Sequence, residues 1–473
     1  MANSYGRKHG VRRSSPRHPP VAGDDYPDIG GLLNADTGRA IAQALDHPRQ
    51  WRFRKIDSIR LMEGRVGRRR VSADVMPPAD PALAYYSSDR RRKRIEQVIG
   101  PVLVPLAMMT KEPLRNFDLG LSDGETLPVL SRADNARAAA AAVLYEIGGD
   151  MAFRNSGLVD AVMAVVEGPP STAQGVCDEL LRVGTYKGTR VLFPGRLSSL
   201  AEALLEELSK QFLLVALLPS HLAGTRCLVK YSFHWDCTFD VKGERLHLIF
   251  GACGYTPVRL DIDIPGAPGY ASYHLEVHVP TGLESCELRL PTTTAGRNRW
   301  GNQDAGSATQ DARAGVIAHS LARYTDEPNG AAELYLQPPR DGLRRTAAWV
   351  TCLTALTFLA IGYVPGTLDR FLDAQDSGSA LLLAAPAVVI SFLTRTGENA
   401  IASTLLAPLR AMMWACVGAF AGAAGLVVAG SSGWPMTCFW RLGALTAASL
   451  SMFILVGYIV SGRRQTGRRK GTS

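Results

Sequence analysis

The chain has 473 residues and a formal net charge of +9, from 52 basic and 43 acidic side chains. Hydrophobic residues make up 46% of it and charged residues 20%, which excludes wholesale disorder because there is ample apolar material for a core. The length favours two to four domains. Residues 1–100 carry a balance of +9, residues 346–473 carry +5, and the middle of the chain therefore carries −5. This distribution argues against one uniform nucleic-acid-binding surface and favours a soluble body held at a membrane.

Residues 1–50 are predicted to form a basic, largely disordered arm. The first 20 residues contain basic side chains but no apolar stretch behind them, so they do not match a signal peptide. We therefore expect residues 51–344, the body, to lie in the cytoplasm with its cysteines reduced. No Cys-x-x-Cys pair occurs in the sequence, which gives no support for a zinc ribbon.

The body is predicted to be an antiparallel, β-sandwich-like unit. Residues 52–62 and 66–75 read as a hairpin, and the charge-free stretches at 97–110 and 211–225 are too short to cross a membrane and suit buried strands. Three further segments alternate apolar and polar residues, at 229–237, 259–264 and 273–279. Such alternation gives each strand one buried and one solvated face, which is typical of antiparallel sheets.

A helical insertion is predicted at about 131–211. Helical patterns occur at 131–146, 157–167 and 198–211, and the last of these has four leucines on one stripe. Residues 291–330 are polar and turn-rich, so we expect a long loop there with one short helix around 312–324.

The last quarter of the chain is predicted to be a four-helix transmembrane bundle at 345–462, followed by a basic tail at 463–473. Charge-free runs indicate spans at about 346–364, 379–395, 411–430 and 438–460. With both termini in the cytoplasm, ten basic residues beside these spans fall on the cytoplasmic side, as the positive-inside rule favours. We therefore expect a multi-pass protein of the cell membrane, with the lipid bilayer as a partner.

Three segments and the order of the elements resemble a group of uncharacterised membrane proteins of actinobacteria. The segments are PLRNFDLGLSDGETLPVLSR (113–132), YHLEVHVPTGLE (273–284) and TRTGENAIASTLLAPLR (394–410). The resemblance implies a cytoplasmic N-terminal region and a four-helix transmembrane C-terminal region. It implies no activity, because none is assigned to the group.

Two sets of side chains on predicted strands are candidates for chemistry. His274, Glu276 and His278 share one strand face, a spacing that can bind a metal when a fourth ligand converges. Asp261 and Asp263 also share a face and could act as an acid–base pair. A solvated strand face without chemical function also explains both patterns. Because such faces are much commoner than metal sites or acid–base pairs, we favour this explanation.

A third candidate set is His234, Asp236 and Cys237. The alternation places Cys237 on the side opposite the other two, which argues against a catalytic triad. Phosphate-loop, dinucleotide-binding and serine-hydrolase motifs do not occur in the sequence. We therefore predict no catalytic, cofactor-binding or metal-binding residues.

Two basic clusters are candidates for contact with anions, Arg90–Arg94 and Arg68–Arg70. Anionic lipid headgroups at the cytoplasmic surface and a flexible charged loop explain them equally well. Nucleic acid is the least favoured alternative, because membrane spans occur in the same chain.

Small residues on two predicted spans suit close helix packing. Gly418, Gly422 and Gly425 form a face on the third span, and Gly443 with Ala447 offers a partner on the fourth. We expect packing rather than conduction, with homo-oligomerisation through this face as an outcome.

The sequence favours an integral membrane protein without a catalytic motif, in which a cytoplasmic binding, sensing or assembly module meets an unidentified protein partner. The first alternative is a channel or transport component gated by the body. The second is a membrane-bound enzyme, which would require His274, Glu276, Asp261 and His234 to converge in one pocket.

Overall fold

The computed structural model describes residues 31–62, 66–83, 101–191, 197–236, 245–266, 269–290, 317–322, 331–368, 370, 399–429 and 434–470. Within these ranges the N-terminal body contains sheets and helices, and the C-terminal part contains long apolar helices. The predicted α+β class is therefore confirmed.

The body contains six helices in its described ranges. They are α1 (Ala35–Asp46), α2 (Arg132–Gly148), α3 (Ser156–Glu167), α4 (Pro170–Val183), α5 (Ser199–Lys210) and α6 (Arg245–Cys253). Helices α2, α3 and α5 fall where the sequence predicts them. Helix α4 was not predicted, although it has a proline in its first turn and ends at Gly184, whose φ of 73° is left-handed. Helix α6 was not predicted either.

Helix α1 contradicts the prediction that residues 1–50 are a largely disordered arm. The side chain of Asn34 caps the helix by accepting from the backbone N–H of Thr37 at 2.8 Å. Trp51 donates from Nε1 to the carbonyl of Ala44 at 2.8 Å, and Ile41 is fully buried. The body therefore begins earlier than predicted, because the apolar face of α1 is covered by the rest of the chain. Residues 1–30 lie outside the described residues.

The strands are β1 (Arg52–Leu61), β2 (Val66–Val75), β3 (Val102–Thr110), β4 (Arg115–Leu121), β5 (Thr185–Tyr186), β6 (Thr189–Arg190), β7 (Gln211–Leu218), β8 (Cys227–Asp236), β9 (Val258–Asp263), β10 (Ser272–His278), β11 (Glu284–Arg289), β12 (Ile317–Ala322) and β13 (Ala331–Gln337). Six of them form one sheet in the order β12-β10-β1-β2-β8-β4. A second sheet has the order β11-β13-β9, and β3-β7 and β5-β6 form separate pairs. Strands β3 and β7 pair with each other. They lie in the two charge-free stretches that are too short to cross a membrane.

The sheets correct two predictions. Strands β1 and β10 pair in parallel, although the sequence predicts antiparallel strands throughout. Period-two alternation shows that one face is buried but does not report strand direction, and the long segment between these two strands leaves room for a crossover. Strand β12 lies where a short helix was predicted, because residues 317–322 pair with β10. A sandwich arrangement stays a prediction.

The C-terminal part contains three described helices that are long and apolar enough to cross a membrane. They are α7 (Leu343–Tyr363), α8 (Ala400–Val428) and α9 (Trp434–Lys470). Helix α8 begins well before the predicted start at 411, because Asn399 caps it by accepting from the N–H of Ile401 at 2.8 Å. The predicted span at 379–395 lies outside the described residues, so the count of four stays a prediction.

Three apolar clusters organise the described residues. The body cluster is built from β2, β3, β7, β8 and α1 to α5 and includes Val104, Leu144, Val162, Leu205 and Val215. The junction cluster joins strands to membrane-type helices and includes Ile59, Leu260, Leu275, Leu405 and Ile454. The helix cluster includes Phe358, Phe420, Met436 and Trp440. The sheet and the apolar helices therefore share one core at the junction.

Candidate functional site: a buried charge cluster beside a cavity

Charged side chains occupy the buried face of β1. Residues Lys55, Asp57 and Ile59 alternate onto that face, so the first two carry their charges into the interior while Ile59 enters the junction cluster. Asp57 is fully buried and Lys55 is 3% exposed. Burying a charge costs free energy unless the charge is paired, so two buried charges on one strand indicate that partners lie close to them.

Asp57 is held by an arginine and a tyrosine from neighbouring strands. Arg69 on β2 donates from Nε to both carboxylate oxygens, at 2.8 and 3.0 Å, and also from Nη2 to Oδ2. The hydroxyl of Tyr273 on β10 donates to Asp57 Oδ2 at 3.1 Å. Arg69 Nη1 donates to the carbonyl of Asp263 at 3.1 Å, which links this pair to the end of β9. The Asp57 carboxylate on β1 is therefore fixed in position by side chains from two other strands, β2 and β10.

Lys55 lies at the edge of this ion pair. Its Nζ donates to the carbonyl of Pro265 at 2.8 Å and is 3.9 Å from Asp57 Oδ2. The same ammonium lies over the rings of Tyr270 and Tyr273, at 5.8 and 5.7 Å from their centroids. The Lys55 ammonium therefore interacts more weakly with the Asp57 carboxylate than the Arg69 guanidinium does.

Arg52 is a third buried cation, 7% exposed, and it forms no ion pair with any described residue. It donates from Nη2 to the carbonyl of Pro105, and its guanidinium lies over the rings of Trp51 and Tyr270 at 4.5 and 5.5 Å. Its Nε is buried and has no hydrogen-bond partner among the described residues. Arg52 is therefore the least compensated charge of the cluster.

A cavity of about 290 Å³ adjoins the cluster. Arg52, Lys55 and Tyr270 line one part of it, and apolar side chains of α1, β3, α5 and β7 line much of the remainder. Glu207 on α5, an exposed acidic residue, also borders the cavity. The volume is at the lower end of the range for small-molecule sites.

The electrostatics of the cluster follow from burial and pairing. Burial lowers the pKa of Lys55 to about 8, and the nearby charge of Asp57 opposes that change. Burial pushes the pKa of Asp57 upward, but the charges of Arg69 and Lys55 and the hydrogen bonds it accepts hold it below its ordinary value. Burial raises the pKa values of Tyr270 and Tyr273. At neutral pH the cluster therefore holds more positive than negative charge.

The set His274, Glu276 and His278 lies on the face of the sheet opposite the cluster. His274 Nε2 is 3.5 Å from Glu276 Oε1, and the side chains of Tyr273 and Leu275 fill the buried face. Among the described residues, no group of three or more His, Cys, Asp and Glu side chains is arranged to hold a metal.

The other candidate residues do not converge. Asp261 accepts from Arg259 Nε at 2.6 Å on β9, in a different sheet from the histidines. His234 Nδ1 is 3.0 Å from the amide nitrogen of Asn116. None of these side chains lines the cavity, and Cys237 lies outside the described residues.

The basic run Arg68–Arg70 is divided by the strand. Arg69 points into the buried pair with Asp57, while Arg70 is exposed on the other face of β2. The second basic cluster, Arg90–Arg94, lies outside the described residues. Arg69 is therefore engaged inside the body, and contact of the remaining basic residues with anionic lipid headgroups stays a prediction.

The predicted small-residue face of the long apolar helices is only partly used among the described residues. A Cβ at Gly443 would lie 2.5 Å from the ring of Phe358, and one at Gly422 would lie 3.3 Å from Phe439. At Gly418 and Gly425 a Cβ would meet no atom of the described part of the chain within 4 Å. Gly443 thus permits α9 to approach α7 closely, and homo-oligomerisation through the remaining glycines stays a prediction.

The charge cluster was not predicted from the sequence, although the sequence contains a signal for it. In β1, which reads RFRKIDSIRL, period two places Lys55 and Asp57 on the same side as Ile59 and Leu61. Charges in register with apolar residues indicate a buried pair or a site. The partner of Asp57 could not be identified without the register that brings Arg69 beside it.

Comparison with models of known families and with curated proteins finds no match to this chain.

Proposed function

We propose that the chain is a membrane-anchored binding and sensing module, in which the state of the body is transmitted to the membrane helices. The observation that carries this proposal is the junction cluster. Side chains of β1, β9 and β10 are buried there together with Leu405, Leu409 and Met413 of α8 and Ile454 of α9. A module that was only tethered would need no such shared core.

Polar contacts at the same junction support the proposal. The side-chain amide of Asn399, the cap of α8, donates to the carbonyl of Met62 just after β1. The hydroxyl of Tyr255, which follows α6, donates to the carbonyl of Phe453 on α9 at 2.6 Å. Each contact ties a fixed point of the body to a fixed turn of an apolar helix.

A direct connection runs along β1. The strand carries Lys55 and Asp57 of the charge cluster, then Ile59 and Leu61 of the junction cluster, and ends at Met62, which contacts Asn399. Seven residues of strand span about 23 Å. A rearrangement around Lys55 would therefore reach the start of α8 through one continuous element.

The membrane topology and the cellular location of the chain belong to the same proposal. We propose four spans, with the fourth helix at about 379–395, both termini in the cytoplasm of a cell-membrane protein, and a likeness to the uncharacterised actinobacterial group. Reporters fused after Ser377 and after Ser473 test this topology, because they are expected to give signals from opposite sides. Signals from the same side would contradict it.

Amide hydrogen exchange of the full chain in lipid nanodiscs tests the coupling. Leu405→Ala removes a side chain that is 2% exposed at the junction, and we expect faster exchange in β1 and β9 as well as in α8. Leu442→Ala is the matched control, because Leu442 on α9 is 63% exposed. Unchanged exchange in β1 and β9 with Leu405→Ala would overturn the coupling.

The absence of catalysis is part of the proposal, and turnover by the purified chain would overturn it. Flux through the reconstituted protein would favour the channel alternative instead.

A further inference from the structure

We propose that the cavity beside Arg52 and Lys55 binds a small organic monoanion with an apolar portion, such as a short-chain carboxylate. The inference rests on the proposed function, since this ligand would be the signal that the body senses.

The charge balance of the cluster favours an anionic ligand. The cluster contains three buried cations and one buried carboxylate, and Arg69 makes contacts with both oxygens of that carboxylate. Lys55 is 3.9 Å from it, and Arg52 has no acidic partner in the described parts of the chain. An unpaired cation in a buried position is unfavourable unless an anion joins it. The cavity that Arg52 lines offers room for that anion.

Arg52 also has unused hydrogen-bonding capacity. It is more than nine-tenths buried, and its Nε, which is enclosed by protein atoms, has no hydrogen-bond partner among the described residues. Buried donors are nearly always satisfied, so the Arg52 guanidinium is incompletely compensated by the described residues, and the cavity that it lines is where an acceptor can reach it. A carboxylate oxygen is a suitable acceptor for an arginine N–H.

The rest of the wall is mostly apolar. Leu106, Met108, Leu204 and Leu213 line the cavity together with the two cations, so the ligand requires an apolar portion as well as a charge. Glu207 borders the same cavity and opposes negative charge there, so each further negative charge on the ligand costs more. A compact monoanion therefore fits better than a bare phosphate or a polyanion.

The experiment measures binding of radiolabelled hexanoate to the full chain in zwitterionic nanodiscs by equilibrium dialysis, with empty nanodiscs as the blank. We expect saturable binding to one site per chain. 1-Hexanol tests the charge and inorganic phosphate tests the apolar portion, and both are expected to bind at least tenfold more weakly. Equal binding of either compound, or no saturable binding of hexanoate, would overturn the proposal.

Variants assign the binding to the cavity. Arg52→Gln is expected to weaken hexanoate binding at least tenfold, whereas Arg54→Gln, an exposed arginine on the same strand, is expected to leave it unchanged. Glu207→Gln removes the repelling carboxylate and is expected to strengthen binding severalfold, which misfolding cannot mimic. If Glu207→Gln, Arg52→Gln and the unaltered chain all bind hexanoate with the same affinity, the ligand binds outside this cavity.

Hydrogen exchange with and without hexanoate separates this inference from the function on which it rests. If Leu405→Ala alters exchange in β1 but hexanoate does not bind, the coupling stands and only the ligand is wrong. If hexanoate binds but Leu405→Ala leaves β1 unaltered, the cavity is a binding site without a connection to the helices.

Discussion

Two buried arginines in this molecule are stabilised in different ways. Arg69, in the sheet of the body, lies against the Asp57 carboxylate. Arg344, at the start of α7, is fully buried but donates from Nη2 to the carbonyl of Gly457 at 2.8 Å and to the hydroxyl of Ser461. Its guanidinium also lies over the ring of Tyr458, 5.4 Å from the centroid.

The difference shows how a sheet and a helix pair can each hold a charge. The β1–β2 register places Arg69 opposite Ile59 and therefore diagonal to Asp57, and the long arginine side chain reaches the carboxylate across the two strands. At the junction, the backbone of α9 and one hydroxyl provide the acceptors instead, and Gly254 leaves space for the guanidinium. The sheet site therefore depends on a charge, whereas the junction site depends on close backbone approach.

The largest effect is expected from Asp57→Asn. This change leaves Arg69 and Lys55 buried without a counter-charge, which should cost about 3–5 kcal/mol of unfolding free energy. The thermal unfolding midpoint in detergent, followed by tryptophan fluorescence, measures the loss. Asp118→Asn, at an exposed position on β4, is the control and should leave the midpoint nearly unchanged. Equal midpoints for both variants would show that the pair is not needed for stability.

Gly254→Ala should have the next largest effect. Gly254 has a φ of 85°, and an added Cβ would overlap the Arg344 guanidinium. Backbone strain accounts for about 1 kcal/mol and the displaced guanidinium for about 1–3 kcal/mol more. The same unfolding midpoint measures the sum.

Gly124→Ala separates these two contributions. Gly124 has a similar φ of 95°, but a Cβ there would meet nothing within 4 Å. We expect a loss of only about 1 kcal/mol in this variant. If both glycine variants lose equal stability, close approach to Arg344 contributes nothing.

Tyr255→Phe should weaken the junction by about 1 kcal/mol, because it removes the hydrogen bond to the Phe453 carbonyl. Hydrogen exchange near Phe453 should become faster in this variant. Tyr363→Phe is the matched control, since Tyr363 is 48% exposed on α7. An unaltered exchange rate near Phe453 would show that the hydroxyl is not part of the connection.

The smallest expected effect is a dependence of stability on pH through Lys55. Its pKa in the folded chain is about 8, below the ordinary value of 10.5, so the unfolded chain binds more protons above pH 8. Stability should therefore rise between pH 8 and 9 relative to Lys55→Met, by about 1 kcal/mol or less. The difference in unfolding midpoint between the two chains at each pH measures it.

The carboxylate, the paired arginine and the two tyrosines that face Lys55 keep their protonation over this pH range, while burial lowers the pKa of Arg52, the other cation that acts on Lys55. The pKa of Asp57 lies below its ordinary value and that of Arg69 lies above it, while the pKa values of Tyr270 and Tyr273 are raised. A constant difference between the unaltered chain and Lys55→Met would mean that Lys55 does not titrate there.

Much of the secondary structure could be predicted because local patterns reported it. Local patterns predict the β1–β2 hairpin, the two strands β3 and β7, and the helices α2, α3 and α5, and the structure has these elements at those positions. Helix α1 and strand β12 were missed, because their structure depends on what covers or pairs with them. The charge cluster could be recognised only as charges in register with Ile59, since its members come from β1, β2 and β10.

Two properties could be predicted from the sequence alone: apolar, charge-poor segments are concentrated at one end of the chain, and the body contains strands with one buried face. These properties are local, because hydropathy and alternation are read along a few neighbouring residues. Three further properties emerge only from the folded chain: β1 and β10 run in parallel, Asp57 pairs with Arg69, and strands share a core with α8 and α9. Those outcomes depend on contacts between residues far apart in the chain, which no local pattern specifies.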